Sequence, residues 1–87
     1  MHEVHLSQKA TKFLEKIDAN LRERIISRLK NLGETPIPSD SKFITRENGD
    51  KIFRYRIGSY RALYKVKDKE KMVLITKIDK RPRIYKR

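Results

Sequence analysis

The chain lacks cysteine, has two histidines and three glycines, and contains no long apolar run. Without cysteine there is no disulfide scaffold, no Cys-based zinc finger and no thiol nucleophile, which suits a reducing compartment. Without clustered glycines there is no loop of the kind that cradles nucleotide phosphates. His2 and His5 are too few for a metal site and read as side chains of an edge strand. No stretch approaches the roughly 18 apolar residues of a membrane span, and Met1–Leu6 lacks the apolar core of a signal peptide. The expectation is a soluble, cytoplasmic protein with no membrane partner. Acidic residues are scarce in the second part of the chain, where residues 51–87 hold three. They form no pair at a useful spacing, which argues against a two-metal nuclease. No cofactor is expected.

What the chain has in excess is positive charge. Its 87 residues carry a formal charge of +12, which points to a polyanionic partner. The length suits one domain, spanning residues 1–87. Residues 1–50 hold nine basic and eight acidic side chains, whereas residues 51–87 hold fourteen basic and three acidic. A block of like charge is often a disordered tail. Here the basic residues alternate with Ile, Phe, Tyr, Val and Leu, the pattern of folded strands with charge on one side.

Hydrophobic spacing orders the rest. Met1–Leu6 alternates and predicts a short strand. Ser7 is a candidate N-cap, and Ala10, Phe13, Leu14 and Ile17 form a helical stripe over about residues 8–18. Asn20-Leu21-Arg22-Glu23 has capping-box character. Leu21, Ile25, Ile26, Leu29 and Leu32 make a second stripe that Gly33 stops. Two such helices should pack as a hairpin. A loop with Pro36 and Pro38 follows, and then the period becomes two. Strands are predicted at Lys42–Arg46, Lys51–Ile57, Tyr60–Val66 and Lys71–Ile78, with hairpin turns at Asn48-Gly49 and Gly58-Ser59 and a break at Asp68-Lys69. The expected fold is α+β, a small curved antiparallel sheet backed by an N-terminal helical hairpin, in the order β-α-α-β-β-β-β.

The hairpin at 53–64 is the most informative segment. A two-residue turn at Gly58-Ser59 sets Ile57 opposite Tyr60, Arg56 opposite Arg61, Tyr55 opposite Ala62 and Phe53 opposite Tyr64. One face then carries Phe53, Tyr55, Ile57, Tyr60, Ala62, Tyr64 and Val66, ready for the helices. The other carries Arg54, Arg56, Arg61 and Lys65, with Ile52 and Leu63 between them. Like charges directly opposite in a sheet are unfavourable by a few tenths of a kcal/mol to about 1. Such a cluster serves either solubility or the binding of phosphate, which the planar arginine fork suits. Residues 78–87 form a basic tail, Lys80-Arg81-Pro82-Arg83-Ile84-Tyr85 leading, that can fold back to complete the site. Tyr85 either stacks on a base or moves a proton, or with Ile84 pins the tail to the body.

The segment Arg54-Tyr55-Arg56-Ile57-Gly58-Ser59-Tyr60-Arg61-Ala62-Leu63-Tyr64 and the ending Lys80-Arg81-Pro82-Arg83-Ile84-Tyr85 resemble the RelE/ParE toxin superfamily of toxin–antitoxin modules. The resemblance covers nearly the whole chain, with the short first strand and the helical hairpin included. It implies a metal-independent endoribonuclease that cuts messenger RNA in the ribosomal decoding site, and a cognate RelB-like antitoxin as partner, alongside messenger and ribosomal RNA. In that reading Arg54, Arg56, Arg61, Arg81 and Tyr85 are catalytic, and Lys51, Lys65, Lys80 and Arg83 bind RNA phosphates. RNA brings its own nucleophile, the 2′-OH, so the site need only align it, accept its proton, stabilise the phosphorane and protonate the leaving oxygen. RelE-like sites often have lysine where this chain has Arg54, and arginine is a poor base; either Arg54 acts electrostatically and the proton is left to Tyr85 or the ribosome, or cleavage is weak. Two other readings stay open: a ParE-like, non-catalytic inhibitor of DNA gyrase, and an inactive toxin relative that only binds nucleic acid.

Overall fold

A computed structural model of the chain describes residues 1–80. The elements are β1 (Glu3–Leu6), α1 (Gln8–Glu15), α2 (Ala19–Lys30), a 3-10 turn at Asn31–Gly33, β2 (Ser41–Glu47), β3 (Asp50–Ile57), β4 (Tyr60–Lys67) and β5 (Met72–Asp79). The order is the expected one, and the fold is α+β. The strands form one sheet, β1-β5-β4-β3-β2. Strands β2 to β5 run as an antiparallel meander. Strand β1 adds a parallel edge along β5, Glu3 opposite Met72 through Leu6 opposite Ile75. Alternation identifies β1 as a strand, but its partner lies at the other end of the sequence and no local pattern names it. Among the described residues no helix is long and apolar enough to cross a membrane.

Ser7 caps α1 as expected, its hydroxyl accepting from the Ala10 amide at 3.1 Å while donating to the Thr76 carbonyl at 2.9 Å. The turn between the helices differs from expectation. Asp18, not Asn20, caps α2, its carboxylate accepting from the Asn20 amide at 2.9 Å. The first helix therefore stops at Glu15 rather than near residue 18. Arg22 seals the junction, its guanidinium donating to the carbonyls of Leu14 at 2.7 Å, Ile17 at 3.0 Å and Glu15 at 3.5 Å. Carbonyls at a helix C-terminus lack intrahelical partners, and a cation there also suits the helix dipole.

Gly33 does not take a left-handed φ. It provides room: a Cβ there would lie 2.8 Å from the His2 carbonyl oxygen, while the His2 amide donates to Gly33 O at 2.8 Å. The two predicted hairpin turns form. Asn48 and Gly49 both have positive φ (52° and 87°), the type I′ pattern, and at the second turn Gly58 alone does (58°), as a Gly-led type II′ turn requires.

The core lies between the helices and one sheet face. Ala10, Leu14, Ile25, Leu29 and Leu32 meet Phe53, Tyr55, Ile57, Ala62, Tyr64, Val66, Val73, Ile75 and Ile78. At its centre Tyr64 is fully buried. Its ring stacks on Phe53 at 5.6 Å and meets Tyr55 edge-on at 6.5 Å, and its hydroxyl donates to the Pro36 carbonyl at 2.9 Å. Burial pushes the Tyr64 phenol up to about 12.

A phenol that holds its proton more tightly folded than unfolded contributes stability that is whole below the unfolded value near 10 and is lost as pH rises toward 12. Denaturation from pH 8 to 11.5 should therefore show a steep alkaline loss, roughly 2–3 kcal/mol when complete. Tyr64→Phe should flatten that slope while losing about 1 kcal/mol at neutral pH with the hydrogen bond; an unchanged alkaline slope would assign it to other groups.

Candidate phosphate-binding site

Alternation along β3 and β4 separates the faces as the sequence implies. The register is Ile57 opposite Tyr60, Arg56 opposite Arg61, Tyr55 opposite Ala62, Arg54 opposite Leu63 and Phe53 opposite Tyr64. With the odd residues of β3 committed to the core, Arg54 and Arg56 must point the other way, with Arg61 beside them. Arg56 is exposed and Arg54 and Arg61 are half-buried. On the same face Ile52 and Leu63 are buried against Ile44, a small apolar floor beneath the charges.

A cavity of about 620 Å³ opens at the Gly58 end of this face, lined by Asp40, Lys42, Arg54, Arg56, Gly58 and Arg61. Arg56 Nε also donates to the Gly58 carbonyl at 3.3 Å, which draws its side chain toward the turn. Four cations around one concavity suit an anion with several acceptor oxygens.

Two bulges bring further residues to this face. The β2–β3 register shifts between Phe43 and Thr45, so that Lys42 stands opposite Arg54 and Phe43 opposite Phe53. Counting back from the Asn48-Gly49 turn without a bulge would set Lys42 opposite Tyr55, on the core side. The extra residue, Ile44, moves it across. The β4–β5 register shifts at Leu63/Tyr64, setting Lys77 opposite Leu63 and Asp79 opposite Arg61. Thr76 is the extra residue there, its hydroxyl donating to the Leu63 carbonyl at 3.0 Å.

Of the residues singled out in the sequence, Arg54, Arg56 and Arg61 share the cavity. Lys65, opposite Ile52, is on the same face further along, where it pairs with Glu47 at 3.5 Å. Lys51 stands opposite Val66 at the far end of β3, on the helix side, and does not line the cavity. Lys80 is exposed just past the end of β5. Arg81, Arg83 and Tyr85 lie outside the described residues. His2 and His5 belong to the edge strand region, 3.3 Å from Asp68 and 3.0 Å from Glu3.

Sequence reasoning passed over Lys42, Asp40, Lys77 and Asp79. A signal existed for Lys77 and Asp79: Val73 and Ile75 alternate but the next buried residue is Ile78, so one extra residue must intervene. For Lys42 and Asp40 the local pattern held no such mark.

The family model described as ParE toxin of type II toxin-antitoxin system, parDE, matches residues 4–85. The chain is similar to the protein designated toxin RelE1 of Methanocaldococcus jannaschii, 29% identical over 84 residues that span 95% of this chain and 93% of that protein. Among solved structures it is similar to the archaeal RelE–RelB complex from Pyrococcus horikoshii OT3, with a TM-score of 0.82, 25% identity, and coverage of 94% of this chain and 97% of that one. The toxin–antitoxin complex RelBE2 of Mycobacterium tuberculosis gives a TM-score of 0.78 and 26% identity, covering 92% of this chain and 91% of that one. The isolated RelE toxin of E. coli has the same fold at a TM-score of 0.69 and 20% identity, over 90% of this chain and 82% of that one.

If the cluster exists to bind an anion, removing part of it should weaken binding without harming the fold. Combining Arg56→Ala with Arg61→Ala should leave thermal stability unchanged or raised by up to about 1 kcal/mol, since opposed like charges are relieved. The same variant should lower the slope of log affinity for a short RNA against log salt by about 1.4, two phosphate contacts' worth. An unchanged slope would mean that these arginines only solubilise the face.

Proposed function

The chain belongs to the RelE/ParE toxin superfamily, and we propose that it is a ribosome-dependent endoribonuclease that cuts messenger RNA in the decoding site and so stops translation. It is a RelE-like toxin of a toxin–antitoxin system; the chemistry is what the site adds. The observation that carries the proposal is the convergence of Lys42, Arg54, Arg56 and Arg61 on one cavity. Strand β5 ends beside it, with Asp79 opposite Arg61, and the sequence continues from there as Lys80-Arg81-Pro82-Arg83-Ile84-Tyr85.

Cleavage by the 2′-OH needs no metal if cations take up the charge that develops on the phosphorane. In this reading Arg56 and Arg61 hold the scissile phosphate and Arg54 adds positive potential. Arg81 stabilises or protonates the leaving 5′-oxygen, and Tyr85 orients the base or the 2′-OH. Lys65, Lys80 and Arg83 hold flanking phosphates. Lys51, on the other side of the sheet, has no part in that chemistry and is left for ribosomal RNA. The antitoxin partner is a RelB-like protein, as in the toxin–antitoxin complexes of the similar archaeal and mycobacterial proteins.

Mapping of messenger RNA 5′ ends in a translating extract should reveal codon-positioned cuts, while a parallel supercoiling assay leaves gyrase active. Arg81→Ala or Tyr85→Ala should reduce cleavage by at least about 100-fold. Loss of supercoiling without cuts would overturn the proposal in favour of gyrase inhibition. A fully active double variant would remove Arg81 and Tyr85 from the reaction.

A further inference from the structure

The cavity's cations leave one chemical role unfilled. A protonated arginine or lysine side chain has no lone pair with which to accept a proton. Among the described residues that line the cavity, Asp40 is the one side chain able to accept a proton as it stands.

Its placement is fixed from several sides. The Ser41 amide and hydroxyl both donate to the Pro38 carbonyl, at 3.0 and 2.7 Å, closing the turn that carries Asp40. Tyr64 fastens the preceding Pro36 to the core. From behind, Arg28 of α2 reaches the Asp40 carboxylate at 3.5 Å. Arg28 is itself held by the Tyr55 hydroxyl at 3.2 and 3.1 Å, and its guanidinium lies over the Tyr55 ring, 5.2 Å from the centroid. Among the described residues Asp40 forms no ion pair with Lys42, Arg54, Arg56 or Arg61, although it shares their cavity. A carboxylate that faces arginines without closing on them leaves space between for a phosphodiester, with the 2′-hydroxyl on the carboxylate side. A base held by a third group is the arrangement that activates nucleophiles generally.

We propose that Asp40 is the proton acceptor of the cleavage reaction, an inference that rests on the endoribonuclease reading above. The 2′-hydroxyl of the nucleotide before the scissile phosphate gives its proton to an Asp40 carboxylate oxygen. The 2′-oxygen bonds to phosphorus, the bond from phosphorus to the 5′-oxygen breaks, and that oxygen takes a proton from the cationic side of the site or from water. The products are a 2′,3′-cyclic phosphate and a 5′-hydroxyl. Asp40 then returns its proton to solvent.

The groups facing Asp40 are Arg28 from α2, Lys42 from β2, Arg54 and Arg56 from β3, Arg61 from β4, and the phenols of Tyr55 and Tyr64 behind the turn. Residues of these types titrate well above neutrality in general, so a fall in rate toward acid reports a carboxylate. Asp79, opposite Arg61, is a second carboxylate at this end of the face and provides the control.

The test is single-turnover cleavage on messenger-programmed ribosomes by the whole chain and its Asp40→Asn, Asp40→Glu and Asp79→Asn variants. Asp40→Asn should cut about 100-fold or more slowly and lose the acid limb of the pH–rate profile. Its affinity for an RNA with a 2′-O-methyl group at the scissile position should be unchanged or tighter, because a negative charge has gone. Asp40→Glu should keep within about tenfold of the wild-type rate, which separates chemistry from folding. An Asp40→Asn variant within about twofold of wild type, or one that keeps the acid limb, overturns the assignment. So does a large loss in Asp79→Asn alone. A wild-type chain that cuts no RNA overturns both this and the endoribonuclease reading. A wild type that cuts beside an equally active Asp40→Asn overturns this assignment only.

Discussion

A tyrosine with no solvent exposure, stacked on Phe53 and edge-on to Tyr55, must satisfy its hydroxyl inside the protein, and Tyr64 does so on the carbonyl of Pro36. That single requirement ties the middle of the sheet to the loop that enters it. It fixes β4 in one orientation, since a slip of one residue would expose Tyr64, Ala62 and Val66 together and bury Leu63 and Lys65 in their place. The site on the outer face thus inherits its order from the packing on the inner one. Side chains on the buried face decide which ones line the cavity.

The outer face runs against the preferences of the fold. Arg56 is paired with Arg61 and Lys42 stands opposite Arg54, contacts that local energetics disfavour. A sheet tolerates this when its other face is well packed, as it is here with Tyr64 in contact with both Phe53 and Tyr55. Local disagreement with an otherwise consistent structure is the usual mark of a functional site. The salt links elsewhere do not share this character. Lys67, whose ammonium is held in its charged form by a 2.8 Å hydrogen bond to Asp50, closes the far end of the sheet with matched charges.

The register of the β3–β4 hairpin, and with it the split between aromatic and arginine faces, was legible because turn chemistry and period-two alternation are both local. The element order and the two hairpin turns were legible for the same reason. Asn20 as a cap was not sustained, because Asp18 offers a carboxylate two residues earlier and Arg22 stabilises the shorter first helix. Lys42 was hidden by the bulge at Ile44, an insertion that depends on the partner strand rather than on the strand itself. Asp40 was hidden in a proline-flanked loop whose path is set by Tyr64 and Arg28, 24 residues later and 12 earlier in the chain. Lys51 reads as a member of the basic cluster by proximity in sequence, yet alternation places it on the other side.

The parallel pairing of β1 with β5 also sets an order of assembly. Ser7 can bond the carbonyls of Ile75 and Thr76 only when both ends of the domain are present. During synthesis the helical hairpin and the β2–β3 and β3–β4 hairpins can form from neighbours in sequence, while β1 waits for nearly the whole chain. Joining ends so far apart adds little to the equilibrium cost, which grows only with the logarithm of the loop length. The delay is one of time. The bulge at Thr76, which turns Lys77 and Asp79 toward the arginines, is built into that last strand. In the order of synthesis the arginines of β3 and β4 therefore precede the strand that completes their surroundings.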